Sequence, residues 1–174
     1  VVVFNGEIYN FQELRQELES TGARFTTRSD TEVLLAAYAH WGDDCVEHLR
    51  GMFAFALYDP KRRTVLLARD RLGEKPLYWT LVGGTGRKTL LFASELRSLL
   101  ATDLVERRIE PRALATYLWN GCVHGRQSLV AGVQLLPAGT RATVALDEPQ
   151  PVERRFWCVP CAHLPRTGKP GGRE

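Results

Sequence analysis

Apolar residues recur along this chain in two rhythms. Phe11, Leu14 and Leu18 fall three and four apart, which predicts a helix begun at Asn10, with Glu13 completing a capping-box-like pair and Gly22 as the stop. A short extended stretch from Arg24 to Arg28 leads to Ser29-Asp30-Thr31-Glu32, a second capping box before an apolar helix over Val33 to Trp41 that Gly42 ends. From Gly51 the rhythm becomes that of strands. Met52 to Tyr58 and Thr64 to Arg69 flank the turn Asp59-Pro60-Lys61-Arg62, and Leu77 to Val82 and Thr89 to Ala93 flank Gly83-Gly84-Thr85-Gly86, so two hairpins are predicted. Both faces of these strands are apolar, as in a sheet covered on each side. Ser94 is placed to cap a helix through Leu100, and Pro111 sits in the first turn of another that ends near Gly121. Leu135-Leu136 is a strand running into the turn Pro137-Ala138-Gly139, and a further strand covers Arg141 to Leu146. At the start, the apolar run Val1-Val2-Val3 meets Asn5-Gly6, which predicts a turn because Gly6 can take positive φ. No internal repeat is evident.

At 174 residues the chain fits one domain able to bury a core. Its 44% hydrophobic and 25% charged content is that of a soluble globular protein, and no apolar run has membrane-span length. The formal charge of +3 comes from scattered arginines and leaves no nucleic-acid footprint. Cys45, Cys122, Cys158 and Cys161 are too few and too uneven for a secreted disulfide framework, so a reducing cytoplasm is expected. Cys158 and Cys161 with His163 have the look of half a zinc site or a redox pair, but tetrahedral zinc needs four ligands and there is no second CxxC; no metal site is assigned. The glycine-rich turn is no phosphate loop, because Arg87 separates Gly86 from Lys88. Residues 158–174 are Pro-, Gly- and Arg-rich without a period and read as an irregular or disordered tail after a domain over residues 1–157.

Five motifs occur in order: Asn5-Gly6-Glu7-Ile8-Tyr9-Asn10, Ser29-Asp30-Thr31-Glu32, Gly51-Met52-Phe53-Ala54-Phe55, Arg69 to Tyr78 (RDRLGEKPLY), and Phe92-Ala93-Ser94-Glu95. Together they closely resemble the glutaminase domain of glutamine-hydrolysing asparagine synthetases, class II glutamine amidotransferases of the N-terminal-nucleophile hydrolase fold, over roughly Val1 to Trp157. The resemblance implies an α+β fold, a four-layer αββα sandwich. It also implies a cysteine at the mature N-terminus whose thiolate attacks the glutamine amide, and an arginine for the substrate carboxylate between that cysteine and the Asn-Gly motif. This chain opens with Val1, so it reads as an internal piece of a larger enzyme, incomplete at the N-terminus. The family's synthetase domain, which uses ATP and Mg, is likewise not visible here; no cofactor is expected in this domain. The implied partners are glutamine, that synthetase domain and, for the full-length enzyme, a second copy in a homodimer; nucleic acid and membrane are not among them.

Glutamine carries an α-carboxylate, an α-ammonium and the amide to be cleaved. A selective pocket therefore needs a cation, an anion and an oxyanion hole, and the resemblance assigns the last two here. Asn5 and the Gly6 N–H match the oxyanion hole, which binds the tetrahedral intermediate more strongly than the ground-state carbonyl. Glu7 and Asp30 match substrate-gripping acids, with Asp30 the better candidate for the α-ammonium. These four groups are expected to converge on one pocket although Asp30 lies far along the chain. Without the resemblance, Asp30 would read as a first-turn acid of a capped helix; the two roles are compatible. The alternating charges of Arg69-Asp70-Arg71 are expected to pair with each other, and His40, His48, His124 and His163 to serve packing or the surface. An amide-forming enzyme of natural-product or β-lactam biosynthesis, or a non-catalytic interaction module, are the alternative readings.

Overall fold

The computed structural model describes residues 1–84 and 88–159; part of the glycine-rich turn, and the tail with Cys161 and His163, lie outside the described residues. In chain order the elements are β1 (Val2–Ile8), α1 (Phe11–Ser20), α2 (Asp30–Trp41), a 3₁₀ turn (Gly42–Asp44) running into α3 (Cys45–His48), β2 (Gly51–Asp59), β3 (Thr64–Arg69), β4 (Tyr78–Val82), β5 (Thr89–Ala93), α4 (Leu96–Leu100), α5 (Pro111–Asn120), β6 (Gln134–Leu135), β7 (Thr140–Ala145) and β8 (Val152–Arg155). They form a five-stranded sheet in the order β1-β2-β3-β7-β8 and a three-stranded sheet in the order β5-β4-β6. Every pairing between these strands is antiparallel.

The two apolar faces of β2 explain the layering. Phe53, Phe55 and Leu57 point to a core shared with Leu14, Leu18, Val33, Leu34 and Ala37 of α1 and α2. Ala54 and Ala56, between them, face Leu77, Trp79 and Leu136 across the gap to the second sheet. A third cluster, Leu99, Val105, Val130 and Val133, covers the far side of β4 and β5 together with Leu96 and Leu100 of α4. Helix, sheet, sheet and helix are therefore stacked around successive cores, as strands buried on both faces require. Among the described residues no helix is long and apolar enough to cross a membrane.

The ends of several elements depart from the sequence expectation. Asn10 precedes α1 without capping it by its side chain; the amide instead donates to the His48 carbonyl at 3.0 Å and accepts from the Arg50 N–H at 2.9 Å, tying the first helix to the start of β2. Ser29 does cap α2, accepting from the Thr31 N–H at 3.1 Å. Glu32 does not complete that box. Its carboxylate takes the N–H and hydroxyl groups of Thr26 and Thr27 at 2.6–2.9 Å. Hydrogen bonds from the Thr27 hydroxyl, then from both backbone N–H groups, pull this carboxyl down from 4.5 to about 2. Because the folded-state value is depressed, the stabilisation is present above the ordinary carboxylate range and is lost as pH falls through the folded value. Hydrogen-exchange protection of the Thr26 and Thr27 amides is expected to drop between about pH 4.5 and 2; protection that persists to pH 2 would contradict the assignment. Strand β8 was not anticipated, since Val152-Glu153-Arg154-Arg155 has one apolar residue and lies at the sheet edge.

Candidate active site

Asn5-Gly6 lies within a strand and not in the turn that its sequence suggests. No turn forms there: β1 runs straight through both residues, with Asn5 opposite Ala54, Gly6 opposite Phe53 and Glu7 opposite Met52. The glycine is needed for a different reason. Gly6 has φ +150°, and a Cβ on it would stand 2.1 Å from the Met52 carbonyl oxygen and 2.7 Å from the Phe53 Cα. Gly51 repeats the arrangement from the facing strand, at φ +153° and with the Glu7 carbonyl oxygen 2.1 Å from the Cβ position. Two glycines thus let the end of β1 and the start of β2 approach closely.

The ladder also decides where the Gly6 N–H points. Tyr9 donates to the Arg50 carbonyl, and Val1 accepts from the Tyr58 N–H, so the odd-numbered residues of β1 face β2. In an antiparallel pair the intervening residues direct their N–H groups the other way. The N–H groups of Gly6 and Ile8 therefore face away from β2, on the side of β1 where no described strand pairs with it. The Asp30 carboxylate takes the Ile8 N–H there, at 3.1 Å, from the first turn of α2, whose positive end favours a carboxylate. Phe4 and Ile8 face the helical core, which leaves Asn5 and Glu7 on the opposite face. Asn5 reaches across that face to the second sheet, where its Nδ2 donates to Ser94 Oγ at 3.0 Å.

The structure thus puts Asn5, Gly6 and Glu7 on consecutive positions of β1, with the carboxylate of Asp30 on Ile8 just beyond them. The exposed Glu7 belongs to an acidic neighbourhood. Partial desolvation, then the charges of Glu74, Glu7 and Asp70, raise the Tyr9 hydroxyl above its ordinary value.

Behind this strand, the Arg69 to Lys75 loop is fastened by charged side chains, but not by their pairing with each other. Asp70, fully buried, accepts from the N–H groups of Phe53, Leu72, Glu74 and Lys75 at 3.0–3.2 Å. Arg69 donates to the carbonyls of Gly73, Lys75 and Leu136 at 2.6, 2.9 and 2.8 Å. A buried carboxylate and a half-buried guanidinium serve a tight loop that leaves many backbone groups without ladder partners. Phe53 is the residue opposite Gly6, so the loop braces β2 directly behind the candidate oxyanion donors.

Other chemistry-bearing residues stand apart. Cys45 is buried, and desolvation, with Asp43 next, pushes its thiol up to about 12, which leaves it protonated and inert. His48 stacks on Trp41 at 4.0 Å and His40 meets the same ring edge-on at 4.9 Å, both packing roles. A groove of about 540 Å³ beside Asp43, Arg141, Thr143 and Arg154 lies at the β7–β8 edge, across the sheet from β1. Sequence reasoning missed the link between Asn5 and Ser94 and the cage around Asp70. Their motifs were visible, but no local pattern joins positions so far apart.

A family model described as a glutamine amidotransferase domain matches residues 1–157. Among curated proteins, asparagine synthetase [glutamine-hydrolyzing] 3 of Bacillus subtilis is 45% identical over 114 residues, 66% of this chain and 18% of that protein. A putative asparagine synthetase [glutamine-hydrolyzing] of Mycobacterium tuberculosis H37Rv is 44% identical over 174 residues, 96% of this chain and 26% of that protein. The chain spans about a quarter or less of the length of these relatives. Among solved structures, the glutamine phosphoribosylpyrophosphate amidotransferase of B. subtilis, complexed with ADP and GMP, superposes with a TM-score of 0.58 at 22% identity, covering 89% of this chain and 28% of that one. That last likeness shows the fold.

Proposed function

The chain belongs to the glutamine amidotransferase domain family, and we propose that it is the glutaminase part of an asparagine synthetase. In this reading glutamine is hydrolysed to glutamate and ammonia. The ammonia passes to a synthetase domain that uses ATP and Mg to activate aspartate, in the cytoplasm. The observation that carries the reading is the grouping at the end of β1: an N–H of Gly6 turned away from β2, the amide of Asn5 beside it, and the carboxylate of Asp30 on Ile8.

The residues divide the work by charge. A thiolate attacks the side-chain carbonyl of glutamine, and the oxygen becomes an oxyanion held by Asn5 Nδ2 and the Gly6 N–H. The resemblance assigns the thiolate to a cysteine at a mature N-terminus. Asp30, with Glu7 near it, takes the α-ammonium. Backbone groups two residues apart on a strand lie about 6–7 Å apart. That is comparable with the span from ammonium to side-chain carbonyl in an extended glutamine, so the Gly6 N–H and the carboxylate on Ile8 suit the two ends of one substrate.

The direct test is ammonia release from glutamine by the full-length protein that carries these residues, together with asparagine formation dependent on aspartate and ATP. Absence of both would overturn the reading. Asp30→Asn keeps an acceptor for the Ile8 N–H and removes the charge. A hydrogen bond to a charged group contributes about 1.5–3 kcal/mol, so KM for glutamine is expected to rise roughly ten- to hundredfold, with a smaller change in kcat. An unchanged KM would remove Asp30 from the ammonium site.

A further inference from the structure

We propose that Ser94 is the positioning residue for Asn5, limiting where its amide can sit by the hydrogen bond between Asn5 Nδ2 and Ser94 Oγ; this rests on the glutaminase reading above. A carboxamide offers two N–H donors at one end and only acceptors at the other. Its terminal torsion is broad and roughly two-fold, so an unheld Asn5 presents its oxygen about as readily as its nitrogen. An oxygen facing a forming oxyanion repels it. With Ser94 Oγ as acceptor, the bond from Asn5 Nδ2 at 3.0 Å holds one N–H and leaves the second for another acceptor; the hydroxyl can also donate, so Ser94 fixes the place of the amide and the forming oxyanion selects its nitrogen.

Ser94 is free for this task because the helix beside it does not use it. The sequence suggests Ser94 as the cap of α4, but the residue preceding that helix is Glu95, which makes no capping bond through its side chain. A Ser cap is ordinarily worth about 1 kcal/mol. Here the hydroxyl instead takes an amide from the other sheet, 89 residues away in the chain. Ser94 is half-buried and directly follows Ala93, which is paired with Tyr78, so its backbone is held by the β4–β5 ladder. The bond therefore also fixes the second sheet against β1 at the reacting centre.

The test uses the full-length protein and four variants: Ser94→Ala, Ser94→Thr, Asn5→Ala and the Ser94→Ala/Asn5→Ala double. Ser94→Ala is expected to lower kcat for glutamine hydrolysis about ten- to hundredfold, with KM within about twofold, and Ser94→Thr, which keeps the hydroxyl, to recover most of that loss. In the Asn5→Ala background, Ser94→Ala should cost nothing further, because Ser94 acts through Asn5. An equal loss in both backgrounds, or no loss in kcat, overturns the proposal. A wild-type protein inactive on glutamine overturns the glutaminase reading instead. The hold itself is then decided by the Asn5 side-chain amide resonances after selective asparagine labelling. Loss of a slowly exchanging Nδ2 proton in Ser94→Ala supports the hold, and unchanged resonances overturn it.

Discussion

Asn5→Ala in the full-length protein is expected to lower kcat for glutamine hydrolysis by about 10²–10³-fold while KM stays within about twofold, the signature of a donor that acts only when the oxyanion forms. The ground-state carbonyl of glutamine is neutral and a poor match for the hole; the tetrahedral oxygen is charged and closer to it. Removing Asn5 Nδ2 leaves the Gly6 N–H as the remaining donor of the pair. The side chain of Asn5 is exposed, and its bond to Ser94 lies on the surface, so folding should be nearly unaffected. Asn5→Asp makes the sharper version of the test. It preserves shape but replaces the donor with a negative charge facing a developing negative charge, so its loss should equal or exceed that of alanine. Steady-state ammonia release against glutamine concentration separates the two parameters. A loss confined to KM would show that Asn5 binds the substrate uniformly and has no part in an oxyanion hole.

How much of this site was legible beforehand depends on how local each signal is. The Ser29 cap of α2 and the end of α5 at Gly121 came from patterns spanning three or four residues; Ser29 caps the helix, though without Glu32, and Gly121 follows the last helical residue. The apolar pairs of strands β2–β3 and β4–β5 were also local, because a hairpin joins neighbours in sequence. At Asn5-Gly6 the local signal fails for the opposite reason. The pair carries a turn propensity, but β1 has β2 beside it over its whole length, and that ladder overrides the local preference. What Gly6 answers to is the backbone of Met52 and Phe53, nearly fifty positions away, and no window of sequence contains both. Glu32 and Ser94 failed as helix-capping groups in the same way: each found a better partner in the folded chain, two threonines for one and an amide for the other.

The largest effect on stability is expected at Asp70. Alanine there would leave the N–H groups of Phe53, Leu72, Glu74 and Lys75 without their acceptor in a region closed to water at the carboxylate itself. Each unsatisfied donor costs about 1–3 kcal/mol when fully buried, but these four are linked and some are only partly buried, so the losses do not add. A total of about 3–5 kcal/mol is the expected outcome, a large share of the roughly 5–15 kcal/mol that holds a domain of this kind folded. Asp70→Asn should rescue little. Its amide nitrogen must replace one carboxylate oxygen, and both oxygens now accept from two N–H groups each: Oδ1 from Leu72 and Glu74, Oδ2 from Phe53 and Lys75. Whichever way the amide is turned, one pair of donors faces another donor. Denaturant titration of wild type and both variants measures the change; a loss under about 1 kcal/mol for either would show that the loop finds other acceptors. The effect should not remain local. Phe53 is the residue against which Gly6 is packed, so a loosened loop frees the backbone behind the proposed oxyanion donor. Glutaminase activity should therefore fall in Asp70→Ala even at temperatures where most molecules are still folded.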